Sequence, residues 1–178
     1  MNDQNLGKRM LEGKDLDLFL EAYELATGET LTDFTGSETP DFVGEDASGH
    51  SVGIEITTLR FEHDERFLRR IYPPEPGDVD AWMRLMELIQ KKTRKLGIGS
   101  WAECDRKILV IMMVDISLAD LAAGGLQTDQ PEPGSFHEVW LADRTQLDAF
   151  GAVDLFALAH ATQKGHFATA NRGQKPYG

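Results

Sequence analysis

The chain has 178 residues, 41% hydrophobic and 27% charged, a length that suits one ordinary domain and is tight for two. With 30 acidic residues against 18 basic, its formal charge is -12, which argues against a protein that coats DNA through a broad positive surface. It leaves room for a nuclease, which needs acid where it binds metal.

A single cysteine, Cys104, excludes an internal disulfide and a cysteine-built zinc centre, so a reducing compartment is expected. The opening MNDQNLGKRMLEGKD has no apolar stretch of the signal-peptide kind. The longest apolar run, ILVIMMV at 108–114, falls far short of the roughly 20 residues a membrane helix needs. The expectation is a cytoplasmic, soluble protein with no membrane partner.

In chain order, 15–28 predicts a helix, with Leu16, Phe19, Leu20, Tyr23 and Ala26 on one face, Asp15 as its cap and Gly28 as its stop. The polar stretch 33–40 reads as a turn. Residues 41–58 predict a hairpin around GEDASGH, and its second arm alternates as a strand does. Val52, Ile54 and Ile56 face one way, Gly53, Glu55 and Thr57 the other. Residues 61–78 are irregular, ended by YPPEPG. A long helix follows from Asp78 or Asp80 to Gly97, with Trp82, Leu85, Met86, Ile89 and Leu96 as its apolar stripe. Residues 106–115 predict a fully buried strand. A helical turn or two at SLADLAAG, a loop at 127–135, a strand or helix-to-strand element at 136–143 and a last strand at 151–161 complete the order. There is no internal repeat, so 1–178 is read as one domain with a core of about 12–162 and a loosely attached tail at 163–178.

Charge is uneven. Residues 60–107 hold 11 basic and 9 acidic side chains, a balance of +2, and the rest of the chain holds 7 and 21, a balance of -14. A nucleic acid, DNA first, would be met along the basic strip at about 60–95, which includes Arg60, Arg66, Arg69, Arg70 and KKTRK at 91–95. The same lysines and arginines also suit a solvated helix C-terminus.

The informative pair is Asp41 in PDF and Glu55 in GIEIT, fourteen residues apart. Two carboxylates brought together across a hairpin repel unless a proton, a cation or a basic side chain compensates. A hard divalent ion such as Mg2+ takes oxygen ligands of this kind. With those residues in view, the sequence resembles the PD-(D/E)XK nuclease-like superfamily, which has the restriction-endonuclease-like fold. Its pattern runs from a helix to P-D on a strand, (D/E)-x-K on the next strand, then a helix and further strands. Here PDF at 40–42 matches the first half and EIT at 55–57 the second, with Thr57 where the family has lysine, and the likeness in element order spans about 12–160.

The resemblance implies an α/β fold with a central mixed sheet of four or five strands flanked by helices, and metal-dependent phosphodiester hydrolysis. Asp41 and Glu55 would hold Mg2+, with Mn2+ as a substitute. In the family the lysine orients or activates the attacking water and stabilises charge developing on phosphate. Thr57 can donate a hydrogen bond but carries no charge. Lys92, on the flank of the long helix's stripe, is the candidate replacement; Lys95 lies further round and Lys91 points away. Of the first helix's acids, Glu24 is the best placed as a further ligand, Glu21 faces solvent, and Glu12 counts only if the helix starts earlier. The alternative is a catalytically inactive nuclease-fold protein, a binding or accessory subunit with a protein partner; a third is an unrelated enzyme whose hairpin mimics the motif.

Other signals are weak. His50, His63, His137, His160 and His166 form neither HExxH nor a close pair, and no phosphate loop or dinucleotide fingerprint occurs. Trp82 reads as core, while Trp101 and Trp140 remain candidates for stacking on bases.

Overall fold

The computed structural model describes residues 3–60, 79–98, 101–123, 134–145, 147, 151–162 and 167–168. The first helix, α1 (Asp3–Thr27), starts well before Asp15. Asp15 is therefore no cap; its carboxylate accepts from Arg144 Nη1 at 2.6 Å instead. Helix formers on either side carry α1 through Gly13, whose missing side chain costs only about 1 kcal/mol in a helix. Gly28 ends it as predicted: at φ 73°, where only glycine is unstrained, its N–H donates to Glu24 O at 2.8 Å.

Strands β1 (Leu31–Gly36), β2 (Phe42–Asp46) and β3 (Ser51–Leu59) form an antiparallel meander. The predicted hairpin is β2–β3, and its turn is held by Asp46 Oδ1, which accepts from Ser48 N at 2.8 Å and His50 N at 3.0 Å. Helix α2 (Val79–Ile98) then crosses over to β4 (Arg106–Met113), which lies parallel to β3. Helix α3 (Leu118–Ala123) leads to β5 (Glu138–Asp143), parallel to β4. Strands β6 (Asp154–Ala159) and β7 (Phe167–Ala168) finish the sheet antiparallel. The strand order is sequential, β1 to β7.

The fold is thus α/β with a mixed sheet flanked by helices, but among the described residues the sheet has seven strands, not four or five. One addition, β1, falls largely in the polar stretch read as a turn. It is an edge strand with mostly exposed side chains, so no apolar alternation marks it. The other, β7, is two residues long and lies in the segment expected to hang loose. Residues 136–143, left open between strand and mixed element, contain β5, every residue of which is buried.

Two apolar layers sandwich the sheet. Leu16, Phe19, Ala22 and Tyr23 of α1 pack on Val52, Ile54, Ile56, Ile108, Val110 and Met112. On the other face Leu85, Ile89 and Leu96 of α2 pack on Leu59, Leu109, Ile111 and Met113. Successive crossovers moving in one direction across the sheet place α2 and α3 on one side, and Leu118 and Leu121 of α3 indeed join the α2 layer. The 61–78 segment, most of the 127–135 loop and nearly all of the 163–178 tail lie outside the described residues.

Candidate functional site

The period of two along β3 decides which side chains meet α2. Val52, Ile54 and Ile56 enter the α1 layer, so Gly53, Glu55 and Thr57 point to the opposite face. Antiparallel pairing sets Phe42 against Ile54. One step back, Asp41 falls opposite Glu55 and on the same face. Its Oδ2 accepts from Ile56 N at 2.9 Å, which ties the carboxylate to the neighbouring strand.

The backbone before Asp41 is pinned on both sides. Ser37 N donates to Asp41 O at 2.9 Å, Ala102 N donates to Thr39 O at 3.0 Å, and the Thr39–Pro40 bond is cis. Gly53 makes room for this: a Cβ there would stand 2.9 Å from Pro40 Cγ and 3.0 Å from Cys104 Sγ. A side chain at 53 would push Pro40 away from the strand and move Asp41 with it.

Opposite the two carboxylates stands α2. Lys92 Nζ lies 2.7 Å from Glu55 Oε1, with its side chain 18% exposed and that of Glu55 only 4%. Lys95 Nζ approaches the same oxygen at 3.9 Å from a side chain 63% exposed. The stripe of Leu85, Ile89 and Leu96 against the sheet puts Lys92 at the rim of the interface, where its stem lies along apolar surface and its ammonium reaches the acid. Lys95, expected further round, reaches back because residues three apart are neighbours on a helix. Lys91 is exposed.

Burial first, and the negative charge of Glu55 second, raise the Asp41 carboxyl above the ordinary carboxylate range; the Ile56 N–H and the more distant Lys92 oppose that rise. The helix acid that adds to it is Glu12. Glu24 is exposed and accepts from Thr30 Oγ1 at 2.9 Å, and Glu21 is exposed as well. The expected preference for Glu24 is corrected: α1 starts earlier, which brings Glu12 and not Glu24 towards Asp41. Thr57 is half-buried on the Glu55 face of β3.

Among the described residues, no group of three or more His, Cys, Asp or Glu is gathered as could hold a metal ion. The donor set available to one is the Asp41–Glu55 pair, hard oxygen donors of the kind Mg2+ accepts alongside water and phosphate. No family model matches the chain, and no curated protein or solved structure does either. The chemistry of the site therefore rests on its own geometry.

The remaining candidates fall elsewhere. Trp140 is 1% exposed and cannot stack on a base. Trp101 is half-buried, edge-on to Phe136 at 5.8 Å, and Trp82 packs on the α2 layer as expected. His50 is paired with Asp46, and His137 Nδ1 accepts from Lys107 N at 3.0 Å. His63 and His166 lie outside the described residues, as do Arg66, Arg69 and Arg70; the charge of Arg60 acts on Asp15. A cavity of about 350 Å3 beside α2, lined by Ile89, Gln90, Thr93, Arg94 and Gly134, touches neither carboxylate.

One polar cluster had no signal in the sequence, because its members are scattered from α1 to the end of β6. On the α1 face, Glu138 accepts from Trp140 Nε1 at 2.8 Å and from the Tyr23 hydroxyl at 3.2 Å. His160 Nε2 lies 3.7 Å from the same oxygen, Oε2. Arg106 Nη1 pairs with Glu29 at 2.8 Å, while its Nε sits 3.4 Å from Glu138, within ion-pair reach but not aligned as a hydrogen bond. Burial, then the Glu138 charge, push the Tyr23 phenol up, so it stays a donor. With Glu138 4% exposed, the cluster braces the end of α1 against the sheet.

Proposed function

We propose that the protein is a metal-dependent phosphodiesterase of the restriction-endonuclease-like type, acting on DNA. The observation that carries this is the meeting of Lys92 with Glu55 at 2.7 Å. A helix-borne ammonium stands beside the carboxylate pair, on a site whose strand offers Thr57 in the lysine's place. The order α1, β1, β2, β3, α2, β4 supports it, since the PD strand, the acidic strand and the following helix succeed one another as the resemblance implies.

Asp41 and Glu55 would hold Mg2+ or Mn2+. When bound, such an ion polarises the phosphate and lowers the pKa of a bound water. In this reading Lys92 would neutralise charge that develops on the phosphate, and Thr57 would donate a hydrogen bond to the attacking water. Asp41, tied to Ile56 N–H, keeps one carboxylate fixed while that happens. Approach of a polyanion to a chain of charge -12 relies on the basic strip around 60–95, or on a protein partner that brings the DNA.

A second reading is favoured by the same contact. Lys92 also neutralises a buried acid, and with Thr57 uncharged the chain would then be a nuclease-fold accessory protein without catalysis. The experiment that separates them is Mg2+- and Mn2+-dependent cleavage of duplex DNA, single-stranded DNA and RNA by the native chain, Asp41→Asn and Glu55→Gln. Cleavage lost in both folded variants supports the enzyme; cleavage retained in both refutes it. No cleavage by the native chain on any substrate, without metal binding in calorimetry, favours the accessory protein.

A further inference from the structure

The Asp41–Glu55 pair has two cations beside it before any metal arrives. Asp41 and Glu55 bring two negative charges, and Lys92 and Lys95 bring two positive ones to Glu55 Oε1, at 2.7 and 3.9 Å. A divalent cation entering from water therefore meets two carboxylates whose charge two ammonium groups already offset, with Glu12 adding its charge towards Asp41, and one oxygen of its ligand is already held. The two lysines are unequally placed. Lys95, 63% exposed, can turn to solvent at little cost, whereas Lys92, 18% exposed, leaves Glu55 only for another anion. A lysine ammonium is a compact point charge on a flexible stem, suited to exchanging one oxygen anion for another.

Building on the phosphodiesterase reading above, we infer that Lys92 and Lys95 gate Glu55. They hold its carboxylate until a nucleic-acid phosphate takes their charge, and Glu55 then becomes available to the cation. Metal and phosphodiester bind cooperatively as a result, each raising the other's affinity by the same factor. The arrangement also limits stray cation binding at the pair when no substrate is present.

The test is Mn2+ binding by the full chain, read from the spin-resonance signal of free Mn2+ and by calorimetry. It compares the native protein with Lys95→Met and Lys92→Met, each checked for folding by circular dichroism. Without nucleic acid, Lys92→Met is expected to bind Mn2+ more tightly than the native chain, on the order of tenfold, and Lys95→Met by a smaller factor, about two- to fivefold. With a phosphorothioate duplex DNA, which keeps the backbone charge and resists hydrolysis, native affinity rises by a similar factor, and the rise shrinks in both variants. A phosphorothioate RNA strand run in parallel shows which polymer supplies the phosphate. Lys95→Met decides the matter even where Lys92→Met fails to fold, because its side chain is largely in solvent. Mn2+ bound by the native chain but no tighter by a folded variant, or unaffected by either polymer, overturns the gate and leaves the metal site standing. No Mn2+ bound by any protein, with or without nucleic acid, overturns both the gate and the metal-dependent reading.

Discussion

Lys92→Met keeps the side chain's apolar stem and deletes its charge, so it isolates what the ammonium does for Glu55. Glu55 is 3% exposed and would keep Lys95 as its remaining cation, at 3.9 Å. Removing one partner of a buried ion pair costs about 3–5 kcal/mol, and an exposed lysine such as Lys95 returns at most about 1 kcal/mol of that. The expected loss at pH 7 is therefore about 2–4 kcal/mol. Urea unfolding followed by circular dichroism measures it, and adding Glu55→Gln to Lys92→Met should recover most of the loss. A loss below about 1 kcal/mol at pH 7, or no recovery in the double variant, would refute the claim that the pair is desolvated.

Three further outcomes follow from other contacts. Asp41 has its carboxyl raised by burial and by Glu55, and a raised acid contributes stability below its unfolded pKa that is lost as pH rises through the folded one. Asp41→Asn, whose amide oxygen can still accept from Ile56 N–H, should therefore stabilise the fold at pH 7, with the gain fading towards pH 4; destabilisation at pH 7 in urea unfolding would contradict this. Arg106→Met strips Glu138, 4% exposed, and Glu29 of their shared cation, and a thermal melt should report a loss of about 2–4 kcal/mol. In Gly53→Ala the new Cβ meets Pro40 Cγ at 2.9 Å and Cys104 Sγ at 3.0 Å, so stability should fall by about 1–3 kcal/mol. Calorimetry should show Mn2+ affinity weakened with it, and unchanged affinity would mean that Pro40 does not position Asp41.

Much of the site is legible in the chain because it depends on local periodicity. The alternation of SVGIEIT assigns Glu55 and Thr57 to one face of β3 wherever that strand lies in the sheet. The stripe of Leu85, Ile89 and Leu96 likewise places Lys92 on the rim of α2 before its partner is known. The run ILVIMMV is apolar on both sides, and β4 is indeed covered by both layers. Tertiary structure alone decided the rest. Whether β3 and β4 run parallel, that β1 forms an edge strand, and that Glu12 rather than Glu24 acts on Asp41 all depend on how distant segments pack. The Glu138 cluster joins residues from position 23 to position 160, and no window along the chain contains it. Periodicity tells a side chain which way to face; what it meets there is set by long-range packing, which a local pattern does not encode.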